Sequence, residues 1–293
     1  MSLPLESVPN ASEGRDPETI AALAAAFGAR ARLLDVHSDP DHNRSVFTLV
    51  GDEATLIESL LEGIACARDR IDLRGHAGAH PRVGAVDVCP VVPVVPEDMG
   101  RAKKAALSLA ERVGAELGLP VFLYGELAPG RGPAFFRRGG LEELARRVEA
   151  GDLEPDFGPK RLDPAAGCVI VGARRPLVAF NVNLRGSPET AREIAALVRE
   201  AGGGFTGVRA LGLELPSSGL VQVSMNIEDW QASPPHEVVA RIAAEARARG
   251  AEVAGSELVG LIPAGAVVAA GRQALGLGEL APSSVLELRL LDA

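Results

Sequence analysis

One phrase written twice constrains this chain more than anything else in it. Ser45–Leu73 reads SVFTLVGDEATLIESLLEGIACARDRIDL and Leu177–Phe205 reads LVAFNVNLRGSPETAREIAALVREAGGGF: strand, short turn, helix, strand in both, a repeat of architecture rather than of sequence. Around the first copy, apolar runs at Leu3–Val8, Arg32–Asp35, Ser45–Val50, Gly84–Val94 and Val121–Tyr124 predict strands. Asp16-Pro17 predicts a capped helix running to Phe27, with Pro where its missing N–H costs nothing. Glu53–Asp69 places Leu56, Leu60, Ile64 and Ala67 on one helical face, and Glu97–Leu117 predicts a longer helix. From Ala128 to Pro164 the text turns irregular, with one short helix at Leu141–Ala150. The rhythm then resumes with strands at Cys168–Val171, Leu177–Asn183, Val221–Asn226 and Glu252–Leu258. Helices are predicted at Pro188–Glu200, His236–Arg249 and Pro263–Ala270. The expected class is α+β: two ferredoxin-like βαββαβ subdomains, residues 1–175 and 176–293, with mixed or antiparallel sheets and helices on one face. No GxGxxG or Walker loop follows a strand, which weighs against a doubly wound nucleotide-binding fold.

Composition narrows the partners. A net charge of −9 argues against broad nucleic-acid binding, and 3% aromatic residues argue against a base-stacking platform. Apolar runs such as Val91–Pro96 are too short to span a bilayer, so no membrane is expected. The opening MSLPLESVPN has neither a basic nor an apolar signal region, so the expected compartment is the cytoplasm. Cys66, Cys89 and Cys168 are scattered and read as reduced thiols rather than a disulfide or zinc framework.

Three stretches carry chemistry. In IDLRGHAGAHPRVGAVDVCP, His76 and His80 would align for a metal on a helix, but Gly75, Gly78 and Pro81 oppose one. A loop without metal is expected. Pro81 restricts the His80 backbone, and Arg82 follows closely. An imidazole beside a cation favours its neutral form, which can take a proton and return it. The alternative is a histidine simply hydrogen-bonded within its loop. In LLDVHSDPDHNRSVFTLV, the polar middle is turn chemistry, and Arg44 could fork a carboxylate. His37 and His42 are expected to be solvent-facing. In VPNASEG, Asn10 and Ser12 can satisfy free amides.

VPNASEG, DVHSDPDHNRSVFTLVG, HAGAHPRVGAVDVCPVVPV, VFLYGE, PDFGP, GARRPLVAFNVNL and ELVGLIP occur in this order along the chain. Together they strongly resemble the formiminotransferase domain of formimidoyltransferase-cyclodeaminase and its stand-alone bacterial relatives, and H-x3-HPR-x-GA-x-DVCP is the most specific string. The resemblance implies transfer of a formimino group from N-formimino-L-glutamate to N5 of tetrahydrofolate, a co-substrate, in histidine breakdown. It implies a homodimer and places the catalytic histidine at His80. It maps the folate-contacting stretch onto Gly158, Pro159, Lys160, Arg161, Leu162, Asp163, Pro164, Ala165, Ala166 and Gly167. Arg44, Arg82 and Asn10 are candidates for binding the amino-acid donor; Lys160 and Arg161 would lie nearer the folate tail or be solvated surface charges. Ala11 stands where the family has an aromatic, and the position of His37 is Asp in animal members. KRLDPAAG keeps the length of the folate segment but few of its side chains, so its contacts are expected to use backbone. No cyclodeaminase domain follows, so the transfer step alone is expected. Competing expectations are a 5-formyltetrahydrofolate:glutamate formyltransferase, a non-catalytic folate-binding module and, from the His pair alone, a metal-dependent amidohydrolase.

Overall fold

The computed structural model describes residues 3–291, which divide after Arg175 into two compact units. In the first, β1 (Leu5–Ser7) and β2 (Asn10–Ala11) are followed by α1 (Pro17–Phe27), β3 (Arg32–Asp39), β4 (Arg44–Gly51) and α2 (Glu53–Arg70). Then come β5 (Val86–Pro93), α3 (Met99–Glu116), β6 (Val121–Gly125), α4 (Pro133–Arg137), α5 (Gly140–Glu149) and β7 (Val169–Ala173). Pro9 interrupts what is otherwise one strand, so β1 and β2 both lie between β4 and β5. The hairpin partner β3 forms the edge beyond β4. Up to β5 this is the βαββαβ order of a ferredoxin-like sheet. Two parallel strands, β7 then β6, extend it past β5.

That extension explains a departure from the expected helices on one face. Helices α1, α2 and α3 cover one side of the sheet through Leu23, Phe27, Leu60, Leu109 and Val113. On the other side, Val88, Phe122 and Ile170 meet Phe136 of α4 with Leu144 and Val148 of α5. Parallel strands are ordinarily covered on both faces, and β5 and β7 are buried along their whole length. The helix α4 is absent from the sequence reading because Gly and Pro surround it. Strand β3 also runs four residues further than expected, to Asp39. Its side chain accepts the N–H groups of Asp41 and His42, both at 2.8 Å, which tightens the hairpin turn.

The second unit contains β8 (Val178–Arg185), α6 (Pro188–Val198), β9 (Val208–Leu215), β10 (Leu220–Ile227), α7 (Pro235–Ala248) and β11 (Glu252–Val259). Helices α8 (Ala264–Ala274) and α9 (Leu286–Leu291) follow. Its antiparallel sheet has the order β11-β8-β10-β9, the ferredoxin-like arrangement again. Val182, Leu184, Val223 and Ile227 turn one face toward Ile194, Val198, Val238 and Ile242 of α6 and α7. Strand β9 escaped the sequence reading because Arg, Gly and Glu break its apolar run. No helix among the described residues is long and apolar enough to cross a membrane.

Candidate active site

The loop from His76 to Gly84 enters β5 and is stitched to the β3–β4 turn. Ala79 N–H donates to the Asp41 carbonyl at 3.0 Å, and Asn43 Nδ2 donates to the Ala77 carbonyl at 3.1 Å. Asn43 itself sits at φ 47°, in the left-handed region that asparagine tolerates, and its Oδ1 accepts Gly14 N–H at 2.9 Å. A Cβ on Gly78 would overlap the His42 carbonyl, so these two backbones approach as only glycine permits. Arg82 Nη2 donates to the His42 carbonyl at 3.0 Å and to the His80 carbonyl, and Nη1 hydrogen-bonds the His76 ring.

His80 is half-buried on this loop. Burial, then the Arg44 and Arg137 guanidiniums, holds its imidazole well below the usual range, so the ring is neutral at physiological pH. His76 is pushed down as well, by burial and by Arg82. His42 corrects an expectation: it is 1% exposed rather than solvent-facing, and its ring lies 6.1 Å from that of His80. Its Nδ1 is 3.6 Å from Asp39 Oδ2. His37 lies within β3, half-buried, not in a loop. Local sequence shows a polar turn; only the long-range docking of the His80 loop buries His42.

The cations divide by what they hold. The guanidinium of Arg44, at the start of β4, makes no hydrogen bond or ion pair with other described residues, and burial brings it down to about 10. Such a group is suited to an anionic ligand. Arg82 is likewise brought down to about 10, mainly by burial, but its described hydrogen bonds are spent on His76 and His80 of the loop and on the His42 carbonyl of the turn. Asn10 Nδ2 donates to the Val8 carbonyl at 3.0 Å, a local contact. Asp87 and Arg137, which the sequence reading did not select, form a pair within this cluster. A signal existed: Asp87 is the one charge in the apolar run AVDVCPVVP, and a carboxylate in such a strand needs a partner.

Residues 158–167 lie against the same loop. Asp163 Oδ1 accepts the N–H groups of Ala165 at 2.7 Å and Ala166 at 3.3 Å, and its carbonyl accepts Gly167 N–H at 2.7 Å. The carbonyls of Ala165 and Ala166 accept from Leu73 at 2.9 Å and Ala85 at 2.8 Å, flanking the His80 loop on both sides. Gly167 has φ 71° and forms a bridge with Gly84, and Leu162 is buried. Gly158, Pro159, Lys160, Arg161, Asp163 and Pro164 are exposed, and Lys160 pairs at 3.0 Å with the exposed Glu154. A separate pocket of about 340 Å³ lies in the second unit, lined by His236, Glu237, Arg272 and Gln273 among others, and includes none of these residues.

Residues 4–174 match the family described as Formiminotransferase domain, N-terminal subdomain, and residues 179–276 match Formiminotransferase domain. This chain belongs to the formiminotransferase family. It is 40% identical over 270 residues to the glutamate formimidoyltransferase of Streptococcus pyogenes serotype M1, covering 90% of each chain. Identity to the glutamate formimidoyltransferase of Thermoplasma acidophilum is 38% over 301 residues, across 100% of this chain and 99% of that one. The formimidoyltransferase-cyclodeaminase of Sus scrofa is 40% identical over 275 residues, of which this formiminotransferase chain spans about half the length (51%). The motif H-x3-HPR, which carried the resemblance, forms the loop on which His80 stands.

Proposed function

We propose that this chain transfers the formimino group of N-formimino-L-glutamate to N5 of tetrahydrofolate, giving 5-formimidoyltetrahydrofolate and L-glutamate. The observation that carries this reading is a neutral His80 beside Arg44, a half-buried guanidinium without an acceptor among the described residues. N5 attacks the amidine carbon and forms the new C–N bond. The tetrahedral intermediate collapses as the bond to the glutamate nitrogen breaks. Across the two steps N5 loses one proton and the departing nitrogen gains one; a neutral imidazole can carry it between them, contributing roughly 10²–10⁴-fold. Holding both substrates at one loop makes a bimolecular step effectively unimolecular.

Arg44 takes a carboxylate of the donor, and Arg82 orients His80 by tying its carbonyl to that of His42 in the turn. Gly158–Gly167 lie along tetrahydrofolate, offering chiefly backbone groups, with Lys160 and Arg161 toward its anionic tail. The reading includes a cytoplasmic homodimer that needs no metal. Incubation with tetrahydrofolate and formiminoglutamate should produce the absorbance of the folate product. A 5-formyltetrahydrofolate and glutamate arm should stay silent. His80→Ala should reduce kcat at least about 100-fold while leaving folate affinity within a few-fold; near-normal turnover would remove His80 from the chemistry.

A further inference from the structure

Arg137 stands at the end of α4, a helix of five residues that cannot hold itself in place. The preceding residue pins it: Phe136 is fully buried, with its ring 5.1 Å from Phe122. Asp87, 4% exposed on β5, completes the mounting. Its Oδ2 accepts Arg137 Nε at 2.7 Å and also Nη2, while its Oδ1 accepts Val83 N–H at 2.7 Å. One carboxylate therefore ties Arg137 to the loop that carries His80.

This grip uses only one edge of the guanidinium. No described residue accepts from Arg137 Nη1, so that end of the planar fork keeps its donors. The charges around His80 are also unbalanced. Arg44 and Arg137 act on His80, Arg137 and Arg82 act on Arg44, and Arg15 and Arg137 act on Arg82, with Asp87 and Asp39 as the carboxylates facing Arg44. The guanidiniums acting on Arg44, Arg82 and His80 outnumber the carboxylates acting on them, Asp87 and Asp39, and with a neutral imidazole leave room for an added negative charge. A buried ion pair is weak evidence for stability, whereas a guanidinium fixed on one edge and open on the other is preorganised for a ligand.

We propose that Arg137, presented by Asp87, anchors a carboxylate of the anionic amino-acid donor, with Arg137 as a binding residue and Asp87 as its positioning residue. This rests on the transferase reading above. A donor with two carboxylates would be matched by two guanidiniums, Arg44 and Arg137, which select it over donors with only one.

The test is steady-state kinetics of the full chain with each substrate varied in turn, beside thermal melts. Arg137→Gln should raise KM for formiminoglutamate roughly 10–100-fold, the scale of losing a charge-assisted hydrogen bond, with kcat within about threefold. KM for tetrahydrofolate should stay within about twofold. Arg137→Lys, which keeps the charge but loses the fork, should give a several-fold rise for the donor alone, and Asp87→Asn should shift the same constant. Should Arg137→Gln melt early, Arg137→Lys decides: a selective rise in donor KM supports the assignment and an unchanged one overturns it. Equal rises for both substrates would also overturn it. If the unsubstituted chain fails to turn over these substrates, the transferase reading falls instead.

Discussion

A histidine meant to accept a proton near neutral pH must be deprotonated beforehand, and the residues around His80 arrange that. Burial and the nearby guanidiniums Arg44 and Arg137 all disfavour its charged form. The acid limb of kcat/KM should therefore lie below the ordinary imidazole value of about 6.5, and Arg44→Gln should move it upward. An acid limb at or above that value in the unsubstituted chain would sink the electrostatic argument. The same shift carries a stability consequence. Because the folded-state affinity of His80 is lowered, the unfolded chain binds more protons in the window beneath about 6.5, and stability falls as pH drops through it. His76 acts in the same direction. His80→Gln should flatten that part of the Tm-versus-pH curve; an unaltered slope would mean other groups dominate. Gly78 offers a steric test, since a Cβ there would overlap the His42 carbonyl. Gly78→Ala should cost about 1–3 kcal/mol, or displace the loop and lower kcat; a variant with normal melt and rate would show that the loop gives way freely. The loop that carries His80 was legible in sequence because Gly75, Gly78 and Pro81 rule out a helix locally. His42 was not, because its burial depends on a loop more than thirty residues away in the chain.

Elements that announce their own ends were readable, and those that borrow stability were not. Asp16 before Pro17 marks the start of α1, and its carboxylate accepts Glu18 N–H at 3.1 Å and Thr19 N–H at 3.3 Å. By contrast, α4 lies in a Gly- and Pro-rich tract and exists through tertiary packing of Phe136. Phe136→Ala should cost about 3–5 kcal/mol and lower Tm, with loss of donor affinity as Arg137 loosens; a shift of under about 1 kcal/mol would show that α4 is held otherwise. The segment ending at Gly167 is mapped onto a folate-binding stretch by resemblance alone, and its fold relies mostly on backbone groups. Ala165 and Ala166 use backbone groups to hold the His80 loop, and Asp163 organises their turn. Asp163→Ala should accordingly raise KM for tetrahydrofolate several-fold while leaving the donor constant near normal. A selective effect on the donor would contradict the assignment of this segment.

At the scale of the whole molecule, the doubled βαββαβ pattern was visible because hydrophobic periodicity is local, whereas strand order is not. What the pattern could not disclose is that the first unit extends its sheet with β7 and β6 and carries α4 and α5 on the added face. The residues proposed for the chemistry, His80, Arg44, Asp87 and Arg137 among them, lie in that enlarged unit. The second unit closes its own core, with Val182, Leu184, Ile194, Val223 and Ile242 fully buried between one sheet and two helices. Its strand order β11-β8-β10-β9 pairs every strand within the unit. A polypeptide of residues 176–293 should therefore fold alone, with mixed α/β circular dichroism and one cooperative denaturant transition. It should show no transfer of its own, since it lacks the His80 loop. A broad, non-cooperative transition with dye-accessible apolar surface would mean that its core needs the first unit to close.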